Sequence, residues 1–239
     1  MEFQYDLSGG STAIVKKYHV AATNTVIGRP YTKCEDGGSG IVLGTTTVST
    51  DFIGVNVDAA GTYATAQSGT TDVAAITSLI INPLAVYRVR LSGGATDGTA
   101  LTAHTVTTAT SDGLTITHSA FNASSPTMDE GVIWGYTGAN AGKYRKITST
   151  SSTTTVATVA FPNDDVVGDQ YLHAPIYPTR SIVAELTTNC TEIDATVAIS
   201  GDSTLVVVEM ILNDKAAEGT TQSYALIQFC DSLFGATVT

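Results

Sequence analysis

The chain has 239 residues, of which only 14% are charged, and its 11 Lys and Arg against 22 Asp and Glu give a formal net charge of −11. So few cations exclude a broad phosphate-neutralising surface, and we expect no general nucleic-acid binding. A hydrophobic fraction of 43% argues against disorder. The 40 threonines, together with abundant valine, favour strands over a helical bundle. Composition therefore predicts an all-β chain.

The first predicted module spans residues 1–90 and consists of short strands joined by glycine-rich turns. Residues 13–20 and 51–57 have strand patterns, and residues 35–40 (EDGGSG) are typical of a turn. Residues 85–91 alternate small or apolar with large polar side chains. This period of two predicts a half-buried strand.

The second predicted module spans residues 91–175 and opens with a turn cluster at residues 92–99. Residues 114–118 alternate cleanly, residues 131–136 form an apolar strand, and residues 153–160 are rich in β-branched side chains. Short strands with regular turns are typical of a barrel or sandwich.

The third predicted module spans residues 176–239. Its strand patterns lie at residues 181–186, 192–199, 204–212 and 223–230. The fold expected from the whole sequence is therefore all-β, with two or three small β-barrel or β-sandwich modules in series and little helix.

Targeting and membrane signals are weak in this sequence. The N-terminal residues MEFQYDL lack a basic segment followed by an apolar stretch, so we expect no signal peptide. The apolar runs are far shorter than the ~20 residues of a membrane helix, so we expect no membrane partner. Cys34, Cys190 and Cys230 are far apart and form no CxxC pair, which fits small buried side chains in a reducing cytoplasm.

The sequence carries no catalytic signature. The four histidines are scattered among predicted strands and strand ends: His19, His104, His118 and His173. We interpret each as a surface or packing residue, and the GxSxG nucleophile motif is absent. Asp164, Asp165 and Asp169 lack the spacing of a calcium loop and are interpreted as a polar turn. We therefore expect no enzyme activity, no cofactor and no metal site.

A few cations stand out because basic residues are scarce. The candidate contacts to an acidic partner surface or to another subunit are Lys16, Lys17, Arg88, Arg90, Arg145 and Lys146. Their alternative interpretation is that they lie on solvated strand faces.

Long segments with almost no charge, such as residues 100–109 and 193–200, suggest how the surface is used. A neutral, threonine-rich β surface is poorly protected against association, and monomers usually guard strand edges with charge. We therefore expect other subunits to cover much of this surface, as in an assembly component.

Three segments resemble proteins of tailed-phage virions. DFIGVNVDAA (51–60) and IINPLAVYRVRLSGG (80–94) resemble the N-terminal module of phage head decoration proteins. GYTGANAGKYRKITS (135–149) is similar to a hairpin-type segment that recurs in phage virion proteins. The resemblance covers residues 40–175.

This resemblance implies a capsid decoration, or cement, protein that stabilises an icosahedral phage capsid by clamping adjacent major capsid subunits. It implies a location on the capsid exterior after synthesis in the host cytoplasm. Its partners would be the major capsid protein and other copies of itself, most often in a homotrimer, and it implies no catalytic residues. Many weak contacts on repeated symmetric sites add up by multivalency.

Two other functions stay open. One is a tail, neck or fibre component of the virion. The other is a carbohydrate-binding or adhesin module, for which Trp134 is the one tryptophan that could serve as a sugar platform.

Overall fold

The computed structural model describes residues 2–6, 15–19, 33–36, 41–43, 52–57, 76–81, 84–120, 128–178, 181–182, 184–188, 191–198, 205–215 and 221–229. All regular secondary structure in these residues is β-strand, which confirms the all-β prediction. This described part of the chain contains no helix with the length and apolarity needed to cross a membrane.

The strands of the described residues are short and follow one another closely. In chain order they are β1 (Glu2–Asp6), β2 (Val15–His19), β3 (Lys33–Asp36), β4 (Ile41–Leu43), β5 (Phe52–Asn56), β6 (Ile76–Ile80), β7 (Ala85–Ser92), β8 (His104–Thr108), β9 (Thr115–His118), β10 (Val132–Gly135), β11 (Tyr144–Thr150), β12 (Thr154–Ala157), β13 (Gln170–Ala174), β14 (Ser181–Ile182), β15 (Ala184–Leu186), β16 (Ile193–Ala198), β17 (Leu205–Lys215) and β18 (Thr221–Phe229).

Three sheets organise these strands. A five-stranded sheet has the order β2-β6-β5-β3-β4, and a seven-stranded sheet has the order β14-β17-β18-β7-β16-β15 with β1 also paired to β7. The third sheet closes into a barrel in the order β10-β11-β12-β9-β8-β13. Because the barrel strands lie between β7 and β14 in the chain, the barrel is an insertion into the seven-stranded sheet.

The middle of the seven-stranded sheet is formed by β7, which pairs antiparallel with β18 along one edge. Its other edge is shared by β1 and by β16, and the β16 contact is parallel, with Ile193 opposite Leu91. Strands from the first and third predicted modules thus pair within one sheet. The division into modules at 1–90, 91–175 and 176–239 stays a prediction, and the barrel strands all fall in the middle block.

The barrel has two different poles, set by its strand directions. At the loop pole, the segments 109–114, 136–143 and 158–169 connect β8 to β9, β10 to β11 and β12 to β13. The backbone N–H of Ala157 donates to the carbonyl of Leu114 (2.8 Å), and that of Gly168 donates to Val106 (3.1 Å), which joins two of these loops to the strand ends. At the opposite pole β8 begins and β13 ends, so the chain passes between barrel and sheet there.

Period-two alternation sends barrel side chains into two cores. Ile133 and Tyr171 point into the barrel, where they pack with residues such as Ile116. Their neighbours Trp134 and Leu172 point outward and share one core with the seven-stranded sheet. Strand β10 is therefore buried on both faces. The indole N–H of Trp134 donates to Oδ1 of Asn213 on β17 (3.1 Å), which fixes the barrel against the sheet.

Candidate functional site

Three of the four histidines meet inside the barrel at the pole where the chain enters and leaves it. His104 starts β8, His118 ends β9 and His173 lies near the end of β13, each on the inward face of its strand. The ring centroids are 5.1 Å apart for His118 and His173, 5.3 Å for His104 and His173, and 5.7 Å for His104 and His118. With Thr155 of β12 they form what we call the histidine layer.

Hydrogen bonds order the protons in this layer. Nδ1 of His118 lies 2.9 Å from the carbonyl oxygen of Ser119, which only accepts, so this nitrogen carries the proton and donates. In the neutral ring Nε2 of His118 is then an acceptor, and the Thr155 hydroxyl donates to it over 2.9 Å. Oγ1 of Thr155 in turn accepts from Nε2 of His173 over 3.0 Å. These contacts are all satisfied with both imidazoles neutral.

Burial keeps the three imidazoles neutral at pH 7. Desolvation, with repulsion from His118, lowers the pKa of His104 from 6.5 to about 4. Desolvation also lowers the pKa of His118, although the bond to Ser119 partly opposes this change. The pKa of His173 lies well below its usual range because burial desolvates the ring and because it faces two other imidazoles.

The histidine layer borders a cleft between barrel and sheet. The cleft has a volume of about 530 Å³, and its walls include His104 and His173 on one side and Ala195 and Val197 of β16 on the other. The Thr155 hydroxyl is fully buried, so a substrate has no access to it as a nucleophile. In the ranges described above, no group of three or more His, Cys, Asp or Glu is arranged to hold a metal ion. The imidazoles of this layer can take up protons.

The interpretation of the histidines as separate surface or packing residues missed this cluster. The local signal was present, because His104 and His118 each stand two residues from an inward-facing Val106 or Ile116. Their convergence depends on the barrel order, which puts β9, β8 and β13 side by side. His19 lies apart from the layer, on β2 of the five-stranded sheet.

The loop pole has the opposite character, because its apolar side chains face solvent. Six large hydrophobic residues of the described chain are exposed, and five of them lie in the three loops of this pole. These five are Leu114, Tyr136, Val159, Val166 and Val167, with exposed fractions of 38, 36, 61, 61 and 60%. The sixth, Leu84, precedes β7 and lies outside the barrel.

Beneath this surface a buried polar network holds the loops in place. The Tyr171 hydroxyl donates to Oδ1 of Asp165, and the Asn140 amide donates to the Tyr171 oxygen (2.9 Å) and to the carbonyl of Asn163 (2.9 Å). Burial raises the pKa of Asp165, although the hydrogen bonds that its carboxylate accepts from Tyr171, Thr110 and Asn140 oppose the rise. Burial, followed by the bond to Asp165, raises the pKa of Tyr171. Part of the predicted polar turn is thus a buried carboxylate, whereas Asp164 is exposed.

The rim of the loop pole is acidic. Asp112 accepts from the backbone N–H of Leu114 and Thr115, both at 2.9 Å, and these bonds lower its pKa. Asp164 faces solvent beside Asp165. Lys143 is the cation of these three loops, and its Nζ donates to the carbonyl of Ala139 (3.0 Å).

The predicted basic contacts lie on three strands, β2, β7 and β11, which belong to three different sheets. On β7, the Arg88 guanidinium stacks over the Tyr224 ring at 3.8 Å, and Arg90 pairs with Glu192 at 3.6 Å. Arg145 and Lys146 lie on β11 of the barrel.

Both β11 cations also have partners within the chain. Nε of Arg145 donates to the carbonyl of Ala160 (2.9 Å), and Lys146 forms an ion pair with Glu130. Lys16 and Lys17 lie on β2, and their side chains are outside the described residues, as are Cys190 and Cys230. A capsid contact at the six cations stays a prediction.

Trp134 does not form a sugar platform. Its side chain is fully buried between the barrel and the seven-stranded sheet. An aromatic ring that binds sugar by stacking must present a face to solvent, so this position offers no support for the carbohydrate-binding alternative.

Comparison with protein-family models, with curated proteins and with solved structures found no match to this chain.

Proposed function

We propose that this chain is a structural virion protein that decorates and stabilises an icosahedral phage capsid, and that it docks through the loop pole of its barrel. The observation that carries the proposal is the concentration of exposed apolar side chains at that pole. Exposed apolar residues scattered singly are ordinary, whereas a concentration of them marks an interaction surface.

The attachment of the barrel to the sheet supports this role. Trp134 and Leu172 share a core with the seven-stranded sheet, and the indole bond to Asn213 adds a directional contact. The barrel is thus braced along one side and joined to the chain at one pole. In the part of the chain that the structure describes, Tyr136 of the opposite pole borders the seven-stranded sheet, whereas Val159, Val166 and Val167 are exposed and accessible to a partner.

The acidic rim indicates the chemistry of the partner. Asp112 stays ionised at neutral pH, and Asp164 adds a second exposed carboxylate beside the apolar residues. A matching capsid surface would carry an apolar patch bordered by Lys or Arg, because rim charges steer association and suppress wrong partners. This polarity is opposite to that of the basic contacts predicted from sequence.

Binding to capsids that lack this protein tests the proposal directly. We expect the wild-type chain to saturate such capsids at a fixed copy ratio, and light scattering of the free protein to report the homotrimer that the resemblance implies. A chain that binds purified tails but not capsids would instead be a tail component. A chain with no affinity for either particle would contradict a virion role.

Substitutions at the loop pole test the docking surface. Val166→Asp with Val167→Asp should weaken capsid binding by about tenfold or more, since two desolvated apolar anchors become charged. Leu84→Asp is the matched control, because Leu84 is also exposed and apolar but lies away from the barrel. Equal loss in both proteins, or none in the loop-pole variant, would place docking elsewhere.

A further inference from the structure

We propose that the histidine layer is a pH switch, in which proton uptake by the layer opens the cleft between the barrel and the seven-stranded sheet. The inference stands on the geometry of the barrel pole that contains the histidine layer, which we call the histidine pole, and does not depend on the proposed function.

The hydrogen-bond chain explains why one proton is enough to disturb the layer. Nε2 of His118 accepts from the Thr155 hydroxyl, whose oxygen accepts from His173. A proton on Nε2 of His118 turns that acceptor into a donor aimed at the same hydroxyl, so the hydroxyl proton of Thr155 loses its acceptor. The new charge also lies among largely buried rings 5.1 to 5.7 Å apart, where desolvation disfavours it.

The groups that face these rings inside the barrel are poorly suited to stabilise an added positive charge. The rings of β8, β9 and β13 face each other, and β12 contributes the neutral Thr155. Two carboxylates stand beside residues of the cleft wall. Asp129 accepts from the backbone N–H of Thr150 (2.7 Å), and Asp194 accepts from that of Thr196 (2.9 Å).

The route to water leads through the cleft. His104 and His173 line it, and the facing wall is formed by Ala195 to Val197 of β16. Leu172, next to His173 on β13, packs in the core that the barrel shares with the sheet. Any movement of β13 that brings His173 toward water therefore also weakens the contact between the barrel and the sheet.

Trp134 is a built-in reporter of this opening. It is the single tryptophan of the chain, it is fully buried at the contact between barrel and sheet, and it donates to Asn213. Its fluorescence should shift to longer wavelength when water enters that contact. Far-UV circular dichroism, recorded on the same samples, reports whether the strands persist.

The experiment is a titration of the full chain from pH 7.5 to pH 4. We expect a reversible red shift with its midpoint between the ordinary histidine pKa of 6.5 and the value of about 4 at His104, with the strand signal retained. The open population should rise about tenfold per pH unit for each proton taken up. An emission unchanged down to pH 4, or a loss of strand signal at the same midpoint, would overturn the proposal.

Variants assign the transition to the layer. His104→Gln and His118→Gln should move the midpoint by about half a pH unit or more, whereas His19→Gln, the remaining histidine, should match the wild type. An equal shift in all three would contradict the proposal. If the layer variants do not fold, ring-proton NMR of the wild-type chain decides: the three buried rings must titrate together with the Trp134 emission, and independent titration at the ordinary pKa would overturn the proposal.

Discussion

The two poles of the barrel place polar and apolar side chains in opposite ways. At the histidine pole, three imidazoles and a hydroxyl are buried where apolar residues would be expected. At the loop pole, five large apolar side chains face solvent above a buried carboxylate. Buried polar groups must be hydrogen-bonded to be tolerated, and exposed apolar groups add little to folding. The comparison therefore separates a pole whose chemistry affects stability from a pole whose chemistry is available for binding.

Acid should give the largest effect, and it acts through the histidine pole. The unfolded chain protonates its histidines near pH 6.5, whereas folded His104 does so only near about 4, so the unfolded state binds more protons in this window. The contribution of these neutral histidines to the free energy of unfolding is thus fully present above pH 6.5. It falls as the pH drops, by about 1.4 kcal/mol per pH unit for each such histidine.

Urea unfolding at pH 7.5, 6 and 5 measures this slope. Burial raises the pKa of Asp165 above its ordinary value of 3.8, so its proton uptake in the folded state at low pH acts in the opposite sense and offsets part of the loss. A free energy of unfolding that stays constant from pH 7.5 to pH 5 would contradict the assignment of neutral, buried imidazoles.

Thr155→Val should give the next largest effect. Valine keeps the shape of threonine but bonds neither His118 nor His173, so we expect a loss of about 1–3 kcal/mol in the free energy of unfolding at pH 7.5. Thr154→Val is the matched control, because the neighbouring side chain faces outward and is half-buried. Equal stabilities of the two variants would mean that the hydroxyl chain does not support the fold.

At the loop pole, two substitutions of Asp165 should separate the effect of its hydrogen bonds on stability from the effect of its charge. Asp165→Ala removes the acceptor of the Tyr171 hydroxyl and should cost about 2 kcal/mol, whereas Asp165→Asn keeps an oxygen in place and should cost about 1 kcal/mol or less. Thermal unfolding of both proteins, with exposed Asp164→Ala as the control, checks this order. If Asp165→Asn loses more stability than Asp165→Ala, the ionised carboxylate itself is required.

Val166→Ser and Val167→Ser should give the smallest effect on stability, within about 0.5 kcal/mol, because both side chains are largely exposed. The same variants should still weaken association with the partner. Paired measurements of urea midpoint and of particle binding check this contrast. A large loss of stability would mean that the loop pole is a structural surface rather than a docking surface.

Strand existence and side-chain direction were readable from the sequence. Alternation at Thr115 to His118 and the β-branched run around Thr155 predicted strands, and the structure has both. Residues 85–91 were predicted as a half-buried strand. In β7 the partly exposed positions are Arg88 and Arg90, and the other side chains are buried. These features follow from the two-residue repeat of a strand, which is local.

The order of the strands was not readable, and the candidate site depends on it. Nothing in the spacing of His104, His118 and His173 along the chain indicates that β9, β8 and β13 are neighbours in a closed barrel. The same holds for the cations, which looked available as isolated basic spots but have partners such as Tyr224 and Glu192 from distant strands. Pairings over long sequence separations are set by the packing of the whole domain.

The sequence by itself determined an all-β chain with low charge and determined which side chains share a strand face, because composition and alternation act over a few residues. Only the tertiary structure decided that three histidines share one buried layer, that Trp134 is enclosed between barrel and sheet, and that apolar loops gather at one pole. Barrel closure is the physical reason, since it brings strands that are distant in sequence side by side and gathers alternate loops at one end.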